Sequence, residues 1–394
     1  MTFLFSSKRL LSGITRNVFI LGLVSLVTDL SSQMVFPLIP LYMTSVLGVG
    51  AFAVGIVEGS AETTASLLKV ISGYLSDKMK IRKPFILMGY GLSGLTKPLF
   101  AWAVVWPMVL AVRVVERIGK GLRNAPRDAI IADDVQESLR GKAYGFQRAM
   151  DGIGSVLGAL MAFFLLPVLG YKNVFLFAFI PGILSLAVIF FIKEKKSLDA
   201  PVAPVTTLKG SFKSLPRNLK VFILLASVFA LGHFGYAFFL LKAQNIQLDD
   251  QQAILLYIIF YGVYSVSSIP MGILSDRWGR KPVLVLGYTL FGLIALGMTF
   301  AVGIFGVTVA FIFYGLCYAM IDATQRAYVA DLAPVHLKAT ALGSFHTAIG
   351  FVALPGGYFA GWLWDQVDPA ATFWYGFSLA AVTVTGLLLL KEKQ

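Results

Sequence analysis

GYLSDKMKIRKPFILMGY, residues 73–90, returns in edited form as GILSDRWGRKPVLVLGY at 272–288. Asp77 and Asp276 stand 199 positions apart in these copies. Further along, Asp133 pairs with Asp331 and Gly145 with Gly343 at a spacing of 198, and KEK at 193–195 pairs with KEK at 391–393 at the same spacing. A repeat that runs through apolar stretches and connecting loops alike divides the chain into two similar halves. The expected organisation is one unit over 1–192, a linker over 193–218 and a second unit over 219–394. Parallel repeats of this kind build many secondary transporters, with the solute site between the halves.

The solvent of these halves follows from composition. Of 394 residues, 57% are hydrophobic and only 13% charged, against about 25% charged in soluble domains. Apolar runs lie at 17–45, 51–76, 84–104, 107–131, 142–169, 173–192, 219–242, 252–275, 283–302, 305–330, 340–364 and 371–390. Each approaches the roughly 20 helical residues that cross a bilayer, and such runs are too long and continuous for barrel strands. The expected fold is therefore an all-α integral membrane protein of 12 transmembrane helices in two six-helix bundles. The first run carries Asp29 in its middle and lacks a small-residue cleavage site, so it reads as a span and not a signal peptide. Cys317, the single cysteine, can form no intrachain disulfide, and no cysteine-cluster metal site exists.

The formal net charge of +13 is a topology signal. Cations gather in alternate connections: Lys8, Arg9 and Arg16; Lys78, Lys80, Arg82 and Lys83; Arg140 and Lys142; Lys193, Lys195 and Lys196; Lys209, Lys213, Arg217 and Lys220; Arg277, Arg280 and Lys281; Lys338; Lys391 and Lys393. The intervening loops hold almost no cations beyond Lys172 and Lys242 and show Asp249, Asp250, Asp365 and Asp368 instead. The positive-inside rule then puts both termini in the cytoplasm, and a multi-pass protein of the cell (inner) membrane is expected. Charge distributed in this way argues against a nucleic-acid partner.

GILSDRWGRK resembles the loop signature of the major facilitator superfamily, which falls between the second and third helices of each half. Gly272, Asp276, Arg277, Gly279, Arg280 and Lys281 match it in full. The first copy keeps Gly73, Leu75, Asp77, Lys78, Arg82 and Lys83 but has Lys80 at the usual turn glycine. RIGKG (117–121) is similar to the superfamily's fourth-helix motif. GSVLGA (154–159) resembles its fifth-helix antiporter motif, with Ser155 replacing a proline and Ala159 a glycine. The resemblance implies alternating access, in which two bundles rock about a central cavity under an ion or solute gradient. The loop residues, with Arg127 near the same end, would then serve the cytoplasmic gate.

The stretch RVVERIGKGLRNAPRD (113–128) concentrates charge in an otherwise apolar chain. Arg113, Glu116, Arg117 and Lys120 fall at i, i+3, i+4 and i+7, one face of the fourth span. Glu58 and Glu62 share a face of the second span; the first offers Asp29 and Gln33, the fifth Arg148 and Asp151. At 1.5 Å per residue, Asp29, Glu62 and Arg117 all lie about 15–18 Å deep, so they are expected to converge near the midplane. Intramembrane charges are costly and need partners, water or a function. Two readings stay open: closed ion pairs holding the first bundle, such as Glu116 or Glu62 with Arg117, or a functional cavity. In the second reading Asp29, Glu62, Glu58 and Glu116 are the candidates for proton coupling. Arg117, Arg113, Lys120, Gln33, Arg148 and Asp151 are the candidates for binding solute.

The second half is different: His233, Tyr236, Tyr261 and Tyr318 are its solute-binding candidates, with tyrosines recurring at helical spacing. Asp322 and Arg326 read as an ion pair near a helix end. A charged wall facing an aromatic one suits an amphiphilic organic ion. No Walker loop, H-E-x-x-H or G-x-S-x-G motif occurs, and a non-enzymatic protein is expected. The leading expectation is a monomeric, proton-coupled secondary transporter of a small organic solute, export slightly favoured. The alternative is an importer or exchanger of an organophosphate, carboxylate or siderophore-like anion; a membrane-embedded enzyme or channel lies outside that class. Neither metal nor cofactor is expected.

Overall fold

The computed structural model describes residues 14–136, 139–192, 214–334 and 337–390. Residues 193–213 of the expected linker and the terminal cations Lys8, Arg9, Lys391 and Lys393 lie outside the described residues. Among the described residues every regular element is helical. The first half comprises α1 (Arg16–Gln33), α2 (Leu38–Leu41), α3 (Ala51–Met79), α4 (Lys83–Leu95), α5 (Trp106–Asp134), α6 (Arg140–Phe177) and α7 (Phe179–Ile189). The second comprises α8 (Arg217–Gly232), α9 (Tyr236–Asn245), α10 (Asp250–Trp278), α11 (Arg280–Phe300), α12 (Ile304–Leu332), α13 (Lys338–Gln366) and α14 (Pro369–Leu389). These follow the apolar runs except at the fifth and sixth, where α6 continues past a kink at Gly170 to Phe177 and so takes in the start of the 173–192 run. Seven helical segments are long and apolar enough to cross a membrane.

The repeat extends to local chemistry. Lys80 ends α3 with φ 53°, and Gly279, 199 positions on, ends α10 with φ 94°. Both turns pass through positive φ but differ in ψ, 29° at Lys80 and 154° at Gly279, and only glycine enters positive φ without a Cβ penalty. The motif lysines also correspond. Lys83 Nζ donates to the Ile192 carbonyl at 2.7 Å and Lys281 Nζ to the Leu390 carbonyl at 2.6 Å. Each cation sits on otherwise unpaired carbonyls at the end of the last helix of its half, where the helix dipole also favours it.

The corresponding first and seventh runs are both interrupted. Between α1 and α2 the chain turns at 34–37; between α8 and α9 it opens at 233–235, with Gly235 at φ 75°. Such breaks free main-chain carbonyls inside the bundle, and in membrane proteins they occur where protein or water can satisfy them.

The two halves meet along α3 and α13, where the Gly55 and Gly357 backbones touch so closely that a Cβ on either would strike the other's carbonyl. At the end opposite the motif loops the contact is polar and specific. Asp365 accepts from the Ala51 and Phe52 amides at 3.0 and 2.9 Å, capping α3 from the other half. Asp250 accepts from Ser45 Oγ, Gln244 Nε2 and Tyr171 Oη at 3.0, 2.7 and 2.5 Å. Gln244 Oε1 accepts from Thr44 Oγ1 at 2.7 Å.

At the motif end the described ion pairs stay within each half. Arg82 joins Asp77 and Asp133; Arg280 joins Asp276 at 2.5 Å and Asp331 at 3.2 Å. All four aspartates are exposed there. Gly272 faces open space, and a cavity of about 680 Å³ opens beside Ser275, Asp276 and Arg280. The polar contacts that join the halves thus lie at the end opposite the motif loops, where each half keeps its ion pairs to itself.

Candidate functional site

The charged face of α5 folds inward as one linked cluster. Arg113 is 0% exposed and donates through Nη2 to Glu58 Oε2 at 3.0 Å and through Nη1 to Glu116 Oε2 at 3.4 Å. Glu116, also 0% exposed, accepts from Ser93 Oγ at 3.1 Å and lies 3.4 Å from Arg117 Nε. Both guanidinium groups stack on Phe36, 4.1 and 4.5 Å from its ring centre. The i+3 and i+4 spacing puts all three α5 charges on one side, and the interruption after α1 brings the aromatic face to them.

The two arginines are not equivalent. Arg113 is held between two carboxylates. The buried Nε of each lacks a hydrogen-bond partner, but Arg117, 6% exposed and in ion-pair range of Glu116 alone, makes no hydrogen bond through any nitrogen among the described residues. A guanidinium carries five donors in a rigid fork, so Arg117 retains capacity for an anion.

Asp29, Glu62 and Arg117 do not form one contact set. Lys120 is their shared neighbour, in electrostatic reach of Arg117, Glu62 and Asp29. Asp29 is surrounded by Asp151, Lys120, Arg123 and Arg127. Glu62 is exposed in mid-helix, accepts from Ser66 Oγ at 3.3 Å and acts electrostatically on His233 across the interface. Of the two ion pairs expected for Arg117, Glu116 supplies one at 3.4 Å, whereas Glu62 acts instead on Lys120 and His233.

Gln33 bridges the halves: its Oε1 accepts from Tyr257 at 2.6 Å and its Nε2 donates to Tyr261 at 2.9 Å. Tyr236 Oη donates to the Phe36 carbonyl at 3.4 Å. His233, at the α8–α9 break, lies against Phe229, Phe291, Tyr314 and Tyr318, with Tyr314 Oη 3.3 Å from Nε2. Asp151 accepts from Gln147 at 2.6 Å, and Arg148 is in electrostatic reach of Asp322, which pairs with Arg326 at 2.5 Å. Arg127 lies apart from the loop clusters: it is buried, held by Asp128 at 2.9 Å and Ser25 at 3.3 Å.

Aligned on the repeat, Glu58 and Glu62 of α3 fall on Tyr257 and Tyr261 of α10, and Glu116 and Lys120 of α5 on Tyr314 and Tyr318 of α12. Charges in one half are phenols in the other. Sequence reasoning missed Lys97, 0% exposed and donating to Ser31 Oγ at 2.7 Å, although a lone lysine in an apolar run was the available signal. It also missed Phe36, which nothing in the local sequence distinguishes.

Two repeated helical bundles, joined at one end by polar contacts around a buried charged and aromatic interior, are the architecture of a membrane transporter. The chain belongs to the Major Facilitator Superfamily, whose sequence profile matches residues 21–248 and again 221–394. It is a multi-pass membrane protein and a secondary transporter. An uncharacterized MFS-type transporter of Methanocaldococcus jannaschii is 40% identical over 385 residues, covering 96% of this chain and 95% of that one. The crystal structure of a mutant of the nucleoside transporter NupG superposes with a TM-score of 0.79 at 14% identity, covering 96% of this chain and all of the other. That of a D-xylose-proton symporter gives 0.73 at 16%, covering 95% and 97%. Identities this low speak for the fold alone.

Proposed function

We propose that this chain crosses the membrane twelve times with both termini in the cytoplasm and moves a small organic anion with an apolar or aromatic body, coupled to protons. The observation that carries the reading is Arg117, a buried guanidinium without a hydrogen-bond partner among the described residues, facing the second half's phenols. Its ion-pair contact is Glu116 Oε2, 3.4 Å from Nε; a buried donor left without a hydrogen bond is costly, and an anionic ligand relieves that cost. The aromatic wall of Tyr236, Tyr261 and Tyr318 takes the apolar body. Asp29 and Glu62, both beside Lys120, are the proton carriers: loading either with a proton changes the charge that Lys120 meets, and so the balance at Arg117. The likeness of residues 154–159 to an antiporter segment supports export in exchange for entering protons.

A panel of organic anions, cations and neutral solutes is screened by thermal shift on the purified protein, with Arg117→Ala in parallel. Anions are expected to raise the melting temperature of the parent and not of the variant. In proteoliposomes the same anion should drive proton flux that Asp29→Asn or Glu62→Gln abolishes. Stabilisation by cations that survives Arg117→Ala would overturn the anion site. Full gradient-driven flux in both carboxylate variants would overturn the proton assignment.

A further inference from the structure

The polar atoms around Phe36 are unevenly satisfied. Arg113 commits its two terminal nitrogens to Glu58 and Glu116. Glu58 gives only Oε2 to that pair; its Oε1 is buried and has no hydrogen-bond partner among the described residues. Arg117 has none either. Arg113 Nε is also without a hydrogen bond. The unsatisfied acceptor and these donors belong to one set, because Arg113 links Glu58 to Glu116, Glu116 neighbours Arg117, and both guanidinium groups lie on the same ring. Tyr236 of the second half is in electrostatic reach of Glu58, Arg113 and Arg117 together.

A ligand that was only an anion would engage Arg117 but leave Glu58 Oε1 unpaired and add negative charge beside a carboxylate. A cation alone would do the reverse. The four linked charges, Glu58, Arg113, Glu116 and Arg117, sum to zero, so a ligand bearing both signs enters without leaving the buried cluster charged. Sites built to hydrogen-bond a polar group discriminate strongly against analogues lacking it, because the site's own group is then stranded.

We infer that the transported anion also carries an N–H or O–H donor near its anionic group, with Arg117 holding the anion, Glu58 Oε1 accepting from the donor and the phenol wall taking the body. This deepens the substrate class of the same site and rests on the anion reading above. An α-amino acid or α-hydroxy acid with an aromatic side chain has the required chemistry, and the two donors are separated by experiment.

Four probes are titrated into the full chain in detergent: the zwitterion phenylalanine, the hydroxy acid phenyllactate, the plain carboxylate hydrocinnamate and the plain amine phenethylamine. Phenylalanine or phenyllactate is expected to bind about tenfold more tightly than hydrocinnamate, about 1.4 kcal/mol; whichever leads identifies the donor. Glu58→Gln should weaken phenylalanine towards hydrocinnamate while hydrocinnamate binds no worse. Arg117→Ala should weaken all three acids. Equal binding of the three acids, still dependent on Arg117, overturns the donor while leaving the anion site standing. An advantage for phenylalanine that Glu58→Gln leaves intact also overturns the assignment to Glu58. Tightest binding by phenethylamine, insensitive to Arg117→Ala, or no binding by any probe, counts against both readings. Should Glu58→Gln fail to fold, the four probes on the parent protein decide between these outcomes.

Discussion

Tyr236 of the second half donates its hydroxyl to the main-chain carbonyl of Phe36 in the first, at 3.4 Å. Both residues lie at or beside the interruption of a helix, and the interruptions correspond under the repeat. The carbonyl is released by the turn at 34–37, and the opening at 233–235 presents the phenol. The contact joins the halves beside the ring on which Arg113 and Arg117 stack, so solute binding and bundle movement share one point.

Tyr236→Phe removes that hydrogen bond while keeping the ring. A typical intramolecular bond contributes about 0.5–1.5 kcal/mol. The variant should melt slightly lower in detergent and bind solute more weakly, whereas Tyr375→Phe, whose hydroxyl donates to Leu231 within the second half, should lower the melting temperature alone. Unchanged solute affinity in Tyr236→Phe would remove this residue from the site.

The seal opposite the motif loops depends on Asp365, which caps α3 across the halves. Replacing a capping side chain by alanine costs about 0.5–2 kcal/mol. Asp365→Ala should therefore shift the population towards the arrangement in which this end opens. With Cys317 replaced by alanine and a cysteine at Ala53, which is 6% exposed, maleimide labelling should accelerate severalfold in the Asp365→Ala background. An unchanged rate would show that the cap does not govern opening.

Arg113 and Arg117 differ by one helical turn and should respond in opposite ways. Arg113→Ala strands Glu58 and weakens the neutralisation of Glu116, and breaking a buried pair costs about 3–5 kcal/mol. Poor expression or aggregation on size-exclusion chromatography is expected. Arg117→Ala leaves Glu116 with Arg113 and Ser93, so it should remain monodisperse and lose solute binding. A well-behaved Arg113→Ala together with a collapsed Arg117→Ala would reverse the assignment of scaffold and ligand group.

Lys80 ends α3 at φ 53° where its counterpart is Gly279. A left-handed non-glycine residue costs about 1–2 kcal/mol. Lys80→Gly should stabilise the first half modestly and Gly279→Ala should destabilise the second, both read as melting temperatures. A lower melting temperature for Lys80→Gly would mean that the lysine side chain outweighs the backbone strain.

The repeat, the helical class and the superfamily were legible in the chain because each rests on periodicity and composition. Apolar runs near twenty residues leave the backbone no alternative to helix in lipid, and a copied loop such as GILSDRWGRK betrays the duplication without any knowledge of packing. The face holding Arg113, Glu116, Arg117 and Lys120 could also be read, since 3.6 residues per turn places i, i+3, i+4 and i+7 together. Partners across helices could not. Only the folded chain shows that Arg113 lies between two carboxylates, Glu58 and Glu116, while Arg117 has Glu116 alone. Only there does Lys120 come within electrostatic reach of both Asp29 and Glu62, Phe36 lie beneath two guanidinium groups and Asp365 cap a helix of the other half. The physical reason is the range of the interactions. Helix formation and burial in lipid are decided within one segment, whereas the pairing of a buried charge depends on which distant segment's oxygen or ring lies within about 3–5 Å, and that is settled by tertiary packing alone.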